Sequence, residues 1–305
     1  MSRRILVIKL GALGDFFLAQ TAFQAIRAHH RGDRLSLLTI PSLAPLARRS
    51  GLFDEVLEDP RGRSPLAYLA VRRLLRAGRF DRVYDLQGQT RTERYFWLIA
   101  PGPWPEWSGP ARGASHSDRY PGRKSMPAVE RHSRQLRAFG IELPPDPDLS
   151  WLDGEAGLGP IEPYAMLIPG SAPHRPEKRW PAERYGALAR LLLTEGLRPV
   201  IAGGKAEMPL AAAIHAVCPE AADLTGRTDL FGLAALARRA AVAVGNDTGP
   251  THMAAALGTP TLALFVDQPT PIQVTGPHVL VHHRPDFATM TAEGVMDDLR
   301  RLRAS

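Results

Sequence analysis

The chain of 305 residues has a single cysteine, Cys218, which excludes an intramolecular disulfide framework and fits a reducing compartment. No apolar run approaches the ~20 residues that a membrane-spanning helix needs. The apolar start of the chain invites a secretory-signal reading, yet Lys9 and Asp15 interrupt it, so a cytoplasmic location is expected. Metal-ligand spacing is missing as well. Asp146-Pro147-Asp148 is an acidic pair among prolines with no strand leading into it, and His278, His282 and His283 lack the partners of a zinc site and read as surface or strand histidines. Neither a metal nor another cofactor is expected. Lysine is scarce: of 38 Lys plus Arg, only Lys9, Lys124, Lys178 and Lys205 are lysine. A lysine is a compact point charge suited to a phosphate, whereas arginine is a planar fork, so these positions attract notice.

What is present is a pattern of strand-like apolar runs, each followed by a glycine-bearing turn and a helix-like segment. Strand-like runs at 4–9, 35–40, 55–58, 82–86 and 104–107 are followed by a Pro- and Gly-rich stretch at 144–163. A second set then falls at 164–168, 198–202, 240–244 and 261–265. The length exceeds what one core usually covers, so two α/β domains are expected, residues 1–150 and 151–305, with the last helix (291–303) packing back on the first domain.

Four turns carry chemistry. Gly245-Asn246-Asp247-Thr248-Gly249-Pro250-Thr251-His252 lies between a strand and a helix, where unpaired N–H groups and the helix dipole favour an anion. A plain N-cap with His252 facing solvent is the bland alternative. Lys9-Leu10-Gly11-Ala12-Leu13-Gly14-Asp15 follows the first strand and puts a carboxylate, Asp15, on a first helical turn, where dipole compensation alone would explain it. Its glycines fall short of G-x-G-x-x-G, and Asp33, near the spacing of a ribose-binding acid, sits in the turn Arg31-Gly32-Asp33. The remaining two are the basic loop from Pro169-Gly170-Ser171 to Lys178-Arg179-Trp180-Pro181 and the turn Gly203-Gly204-Lys205-Ala206-Glu207. Both end strand-like runs, at the edge where open α/β sheets bind ligands.

Together with the strand end Asp85-Leu86-Gln87-Gly88, these segments resemble glycosyltransferase family 9, the heptosyltransferases that build the inner core of bacterial lipopolysaccharide. The resemblance implies a GT-B type α/β fold, two Rossmann-like parallel-sheet domains facing across a cleft. It also implies metal-independent, inverting transfer of heptose from ADP-heptose to a lipopolysaccharide inner-core acceptor. It makes Asp15 the general base on the acceptor hydroxyl, with Gly14 and Arg91 beside it on the acceptor side, and Lys178 the cation on the pyrophosphate. Ser171, Thr248, Gly249 and His252 would line the phosphate and sugar, Glu207 would read the nucleoside, Thr228 would sit beside the base and Asp247 would bind the heptose. Two departures bear on donor identity: the loop from Ser171 to Lys178 looks longer than in the family, and Val266-Asp267-Gln268-Pro269-Thr270 replaces its usual Gly-Pro-Thr. Another nucleotide sugar or acceptor, an NAD-dependent oxidoreductase and a noncatalytic sugar-nucleotide-binding module stay open.

Charge divides unevenly. Residues 1–150 hold 24 Lys and Arg against 15 Asp and Glu, while residues 151–305 hold 14 against 16. No aromatic stacking pattern or nucleic-acid module accompanies the basic half, so no nucleic-acid partner is expected. Arg72-Arg73 and Arg76 are explained by a solvated helix face, or by a first domain that receives an anionic glycolipid in peripheral contact with the inner membrane, where basic groups are worth about 1 kcal/mol each.

Overall fold

The computed structural model describes residues 2–62, 64–154, 163–172, 175–267 and 273–304. The chain divides into two compact units, Met1–Trp151 and Leu152–Ser305. Residues 155–162 of the Pro- and Gly-rich stretch, Pro173 and His174 of the basic loop, and Gln268-Pro269-Thr270 lie outside the described residues.

The first unit runs β1 (Arg4–Ile8), α1 (Leu13–Phe17), α2 (Gln20–His29), β2 (Arg34–Thr39), α3 (Ala44–Arg49), β3 (Glu55–Glu58), α4 (Pro65–Gly78), β4 (Arg82–Asp85), α5 (Thr90–Leu98), β5 (Glu106–Gly109), β6 (His116–Ser117) and α6 (Ala128–Arg137). Its strands pair in parallel in the order β3-β2-β1-β4-β5-β6. The continuous apolar run of β1 follows from that position: with both sheet faces covered, Ile5, Leu6, Val7 and Ile8 are all fully buried. Asp33 is held in its turn, accepting from the Arg3 N–H at 2.9 Å and pairing with His30 Nδ1 at 2.8 Å.

The second unit runs β7 (Tyr164–Ile168), α7 (Ala182–Thr194), β8 (Arg198–Ile201), α8 (Met208–Val217), β9 (Ala222–Asp223), α9 (Leu230–Arg239), β10 (Val242–Asn246), α10 (Gly249–Ala256), β11 (Thr261–Val266), β12 (Val279–Arg284) and α11 (Ala292–Ala304). Its parallel order is β12-β11-β10-β7-β8-β9. In each unit the first strand is central, the next two step to one side and the fourth lies on the other. The direction of connection therefore reverses beside β1 and beside β7. At the carboxyl ends of β1 and β4, and of β7 and β10, this reversal opens the crevice where such sheets take ligands.

Three strands go beyond the sequence reading. β6 and β9 are two residues each, too short for any period, and β12 carries His282 and His283 in place of an apolar run. Two strands begin later than expected. Ala240 closes α9 in an extended conformation, which moves β10 to Val242–Asn246, and β5 starts at Glu106, leaving Trp104 outside it. The last helix is a correction. The buried face of α11, Val295, Met296, Leu299 and Leu302, joins Leu188, Leu192 and Leu264 in the core of the second unit, because α11 follows β12 and covers the sheet its own strand belongs to.

Leu299 is fully buried in that core, and truncation of such a leucine costs about 2–5 kcal/mol. Leu299→Ala is expected to speed amide hydrogen exchange throughout β7, β10 and β11 and to leave β1 and β4 at parent rates. Slowed or unchanged exchange in β11 would contradict the assignment.

Candidate active site

In the second unit, one amide organises the crevice. Asn246 ends β10 fully buried. Its Nδ2 donates to the carbonyls of Pro169 at 2.8 Å and Gly170 at 3.2 Å, while its Oδ1 accepts from the Trp180 N–H and the Tyr185 hydroxyl, both at 3.1 Å. Both ends of the loop after β7 are thereby tied to the end of β10. Trp180, also buried, anchors the far end by donating Nε1–H to the Met290 carbonyl at 3.0 Å and stacking edge-on against Tyr185.

That clamp brings Lys178 onto Asp247, with which it forms an ion pair. The other Asp247 oxygen lies 3.3 Å from His252 Nε2. Burial by itself would raise the Asp247 carboxyl, but hydrogen bonds from His252 and Lys178 outweigh it and hold the group well below the usual carboxylate range. His252 does not face solvent. It is buried on α10, and its Nδ1 has no partner among the described residues. Thr248 takes the N-cap position of α10 in extended conformation without a side-chain cap bond, and Gly249 opens the helix. Gly245 is required just upstream, since a Cβ there would meet Ile168 Cβ at 2.8 Å.

The other residues expected on the donor side lie on neighbouring loops. The Ser171 hydroxyl donates to the Arg175 carbonyl at 2.9 Å and accepts from Arg179 Nε at 3.0 Å, so it shapes the loop internally. Glu207 folds back on its own turn, accepting from the Gly204 N–H at 2.8 Å. A Cβ on Gly170 would lie 2.8 Å from its Cγ, which places Glu207 against the loop after β7. Thr228 sits between β9 and α9, on a loop tied to the β8 turn by the Gly226 N–H to Gly203 carbonyl bond at 2.8 Å.

The first unit repeats the design at its own crevice. Gln87, buried after β4, accepts from the Leu10 N–H at 2.9 Å and so ties the loops after β1 and β4. Gly14 and Asp15 lie in the first turn of α1, with Gly14 buried and Asp15 half-buried over Gly11, where a Cβ would collide with the aspartate. Asp15 acts electrostatically on two cations, Lys9 and Arg131. Lys9 is buried under the loop with Nζ 3.4 Å from the Leu86 carbonyl, and burial lowers its ammonium pKa despite Asp15.

Arg91 lines a cavity of about 420 Å³ with Gln87, Gly88, Arg123, Lys124 and Arg131. Its guanidinium is already paired with fully buried Asp59, Nη2 to Oδ1 at 2.9 Å, and Arg123 is paired with Asp118 at 2.6 Å. Arg131 forms no ion pair among the described residues: its Nη1 donates to the Met126 carbonyl at 3.4 Å, and Asp15 acts on it only electrostatically. Sequence reasoning singled out Arg91 and missed Arg131, Arg123 and Asn246. The scarcity of lysine pointed to Lys178 and Lys205, the two in ligand-side loops, whereas the burial of Lys9 was announced by no local pattern.

A lysine, a carboxylate and a helix start thus meet at the switch point of a Rossmann-like unit, an arrangement suited to an anion. The chain belongs to glycosyltransferase family 9 (heptosyltransferase), whose profile matches residues 68–280. It is 28% identical over 290 residues to lipopolysaccharide heptosyltransferase 2 of Escherichia coli K12, covering 86% of this chain and 82% of that protein. A family 9 glycosyl transferase structure from Veillonella parvula superposes with a TM-score of 0.80 at 22% identity, covering 99% of this chain and 97% of that one. An E. coli heptosyltransferase solved with ADP-2-deoxy-2-fluoro heptose does so at 0.77 and 21% identity, covering 98% and 99%. The fold is therefore that of the GT-B heptosyltransferases, and the chain is a glycosyltransferase.

Two variants probe the clamps. Asn246→Leu keeps the size but leaves two carbonyls and an N–H unpaired, each worth about 1–3 kcal/mol when buried, while the Tyr185 hydroxyl keeps the Ile168 carbonyl at 3.2 Å. Denaturant unfolding is expected to show the second unit destabilised by at least about 3 kcal/mol. The second concerns Asp85, fully buried, with Oδ2 unpartnered among the described residues. Burial pushes its carboxyl up to about 6 against the hydrogen bond from the Gly88 N–H. The folded chain then holds this proton more tightly than the unfolded chain, so its contribution to stability falls as pH rises from about 4 to about 6. Asp85→Asn is expected to stabilise the first unit above pH 6, with the difference from the parent vanishing below about pH 4. A pH-independent difference would contradict this.

Proposed function

We propose that the chain transfers heptose from ADP-heptose to an inner-core acceptor of lipopolysaccharide, inverting the anomeric centre without a metal. The observation that carries the reading is the contact of Lys178, Asp247 and His252 at the carboxyl ends of β7 and β10, beside the start of α10. The fluorinated ADP-heptose in the E. coli neighbour and the activity named for the K12 relative favour this donor and acceptor class. Among the described residues no three His, Cys, Asp or Glu side chains converge as a metal site would require. The oxidoreductase reading loses its ribose-binding acid, because Asp33 is committed to Arg3 and His30.

In this mechanism the acceptor hydroxyl gives its proton to Asp15 as its oxygen bonds to the anomeric carbon, and ADP departs with the electrons of the broken bond. Negative charge grows on the leaving diphosphate, where Lys178 and the free N–H groups at the start of α10 stabilise it. Asp247 holds Lys178 in place and receives the heptose hydroxyls. Glu207 reads the nucleoside, with Thr228 near the base and Ser171 shaping the phosphate loop. On the first unit, Arg91 and Arg131 with Lys124 hold the anionic groups of the acceptor. That acceptor is a glycolipid, so the enzyme works at the cytoplasmic face of the inner membrane in peripheral contact with it.

Asp15→Asn is expected to lower transfer by about 100- to 10,000-fold while ADP affinity stays at the parent value, with parent activity persisting in excess chelator. Near-normal turnover in the variant would reduce Asp15 to dipole compensation. Lys178→Ala is expected to weaken ADP binding and lower turnover, and Lys178→Arg to rescue only in part. His252→Ala should be milder, about 0.5–1.5 kcal/mol for one hydrogen bond. Isothermal titration of ADP decides it: equal affinity in Lys178→Ala and the parent removes this lysine from the site.

A further inference from the structure

Large apolar side chains standing in solvent are concentrated in one place. Among the described residues they are Leu66, Leu69, Trp97, Trp104 and Met208, and the first four lie on α4, on α5 and in the segment leading to β5. Leu66 is 76% exposed and Trp97 56%. Single exposed apolar residues need no explanation, whereas a patch of them does.

The helices explain why they share a face. Along α4, Leu66, Leu69, Arg73 and Arg76 recur at helical spacing and form an outward stripe, while Ala67, Val71 and Leu75 face the core. Neighbouring α5 presents Arg94 and Trp97 three residues apart, and Arg94 Nη1 reaches the Tyr68 hydroxyl of α4 at 3.4 Å. Trp104 meets Trp97 edge-on, with 5.8 Å between ring centroids. Together with Arg76 and Arg79 it lines a cavity of about 670 Å³.

The charge on this face is predominantly positive, with Asp81 the one carboxylate among the described residues lining its cavity. Arg72 and Arg76 donate to the carbonyls of residues 99–101, and among the described residues neither they nor Arg73 and Arg79 pair with a carboxylate. Of the two nearby acids, Glu93 pairs with Arg119, while Asp81 accepts from the Arg4 N–H at 2.7 Å, leaving one carboxylate against Arg72, Arg73, Arg76 and Arg79.

We propose that this α4–α5 face docks on a bilayer surface rich in anionic phospholipid, an inference that rests on the glycolipid-acceptor reading and locates its membrane contact. Tryptophans sit at headgroup level, the leucines reach the acyl boundary and the arginines meet lipid phosphates. A second copy of the chain is the other occupant to consider, and a face with four arginines against one carboxylate repels itself.

Flotation of the full chain with vesicles of phosphatidylglycerol and phosphatidylcholine, against phosphatidylcholine alone, tests this directly. Binding is expected only to the anionic vesicles, with a blue shift of tryptophan emission. Arg73→Ala should weaken it about fivefold, the equivalent of one basic group at the surface, and Leu66→Glu and Trp97→Glu should reduce it further. Arg190→Ala, an exposed arginine on α7, should leave it unchanged. Parent-level binding by the three face variants, no binding by the parent, or a parent dimer that Leu66→Glu dissociates would each overturn the proposal. The vesicles contain no glycolipid, so a chain that binds them yet transfers no heptose contradicts the proposed function alone.

Discussion

The crevice of the second unit depends on one buried side chain. Asn246 has four hydrogen-bonding capacities on its amide and uses all of them across the gap between the loop after β7 and the end of β10. An amide is suited to this because it donates and accepts from one rigid plane, which a carboxylate cannot do. Among the described residues of the loop, Ser171, Arg175 and Arg179 bond mainly within the loop itself, and Trp180 adds its bond to the Met290 carbonyl at the far end. Gly245 and Thr251 complete the arrangement. The glycine lets β10 approach Ile168, and the Thr251 hydroxyl donates to the Asn246 carbonyl at 2.7 Å, which fixes the turn into α10.

Charge is arranged around this frame so that it can change hands. Lys178 is paired with Asp247, which restrains a long flexible side chain at the point where a diphosphate would sit. A pairing of two partly buried groups offsets much of the lysine's field in the resting site. Charge developing on a leaving diphosphate would meet a cation already positioned, with no reorganisation at the moment of reaction. His252 bears on the opposite oxygen of Asp247, so the carboxylate is oriented from both sides.

The fold was legible because its signals are periodic and repeated. Apolar runs such as 5–8 and 164–168 end in glycine turns, and they mark central parallel strands whatever surrounds them. The loops that carry Lys178, Asp247 and Glu207 were legible for the same reason, since each ends such a strand. What was hidden depends on distant partners. Arg91 looked like a ligand-facing cation, and only the tertiary structure shows it tied to Asp59, thirty-two residues away. Asn246 lay inside the quoted motif without a role, because its partners come from residues 169, 170, 180 and 185. The last helix was misplaced because amphipathicity tells that a face is buried but not against what.

The two units solve the same geometric problem with different consequences. Each uses an amide just after or at the end of its fourth strand, Gln87 or Asn246, to join the loops of its first and fourth strands. In the second unit the cluster so formed nearly balances, lysine against aspartate. In the first, Lys9, Arg123, Lys124 and Arg131 gather near the crevice, and fully buried Asp85 resists ionisation. The first crevice is cationic beside Asp15 and the second nearly balanced beside a helix start, the contrast that the proposed pairing of an anionic acceptor with a departing diphosphate calls for. Under the proposed reaction, too strong a positive field in the second unit would bind ADP after transfer as tightly as during it, so the pairing of Asp247 with Lys178 would serve turnover as well as position.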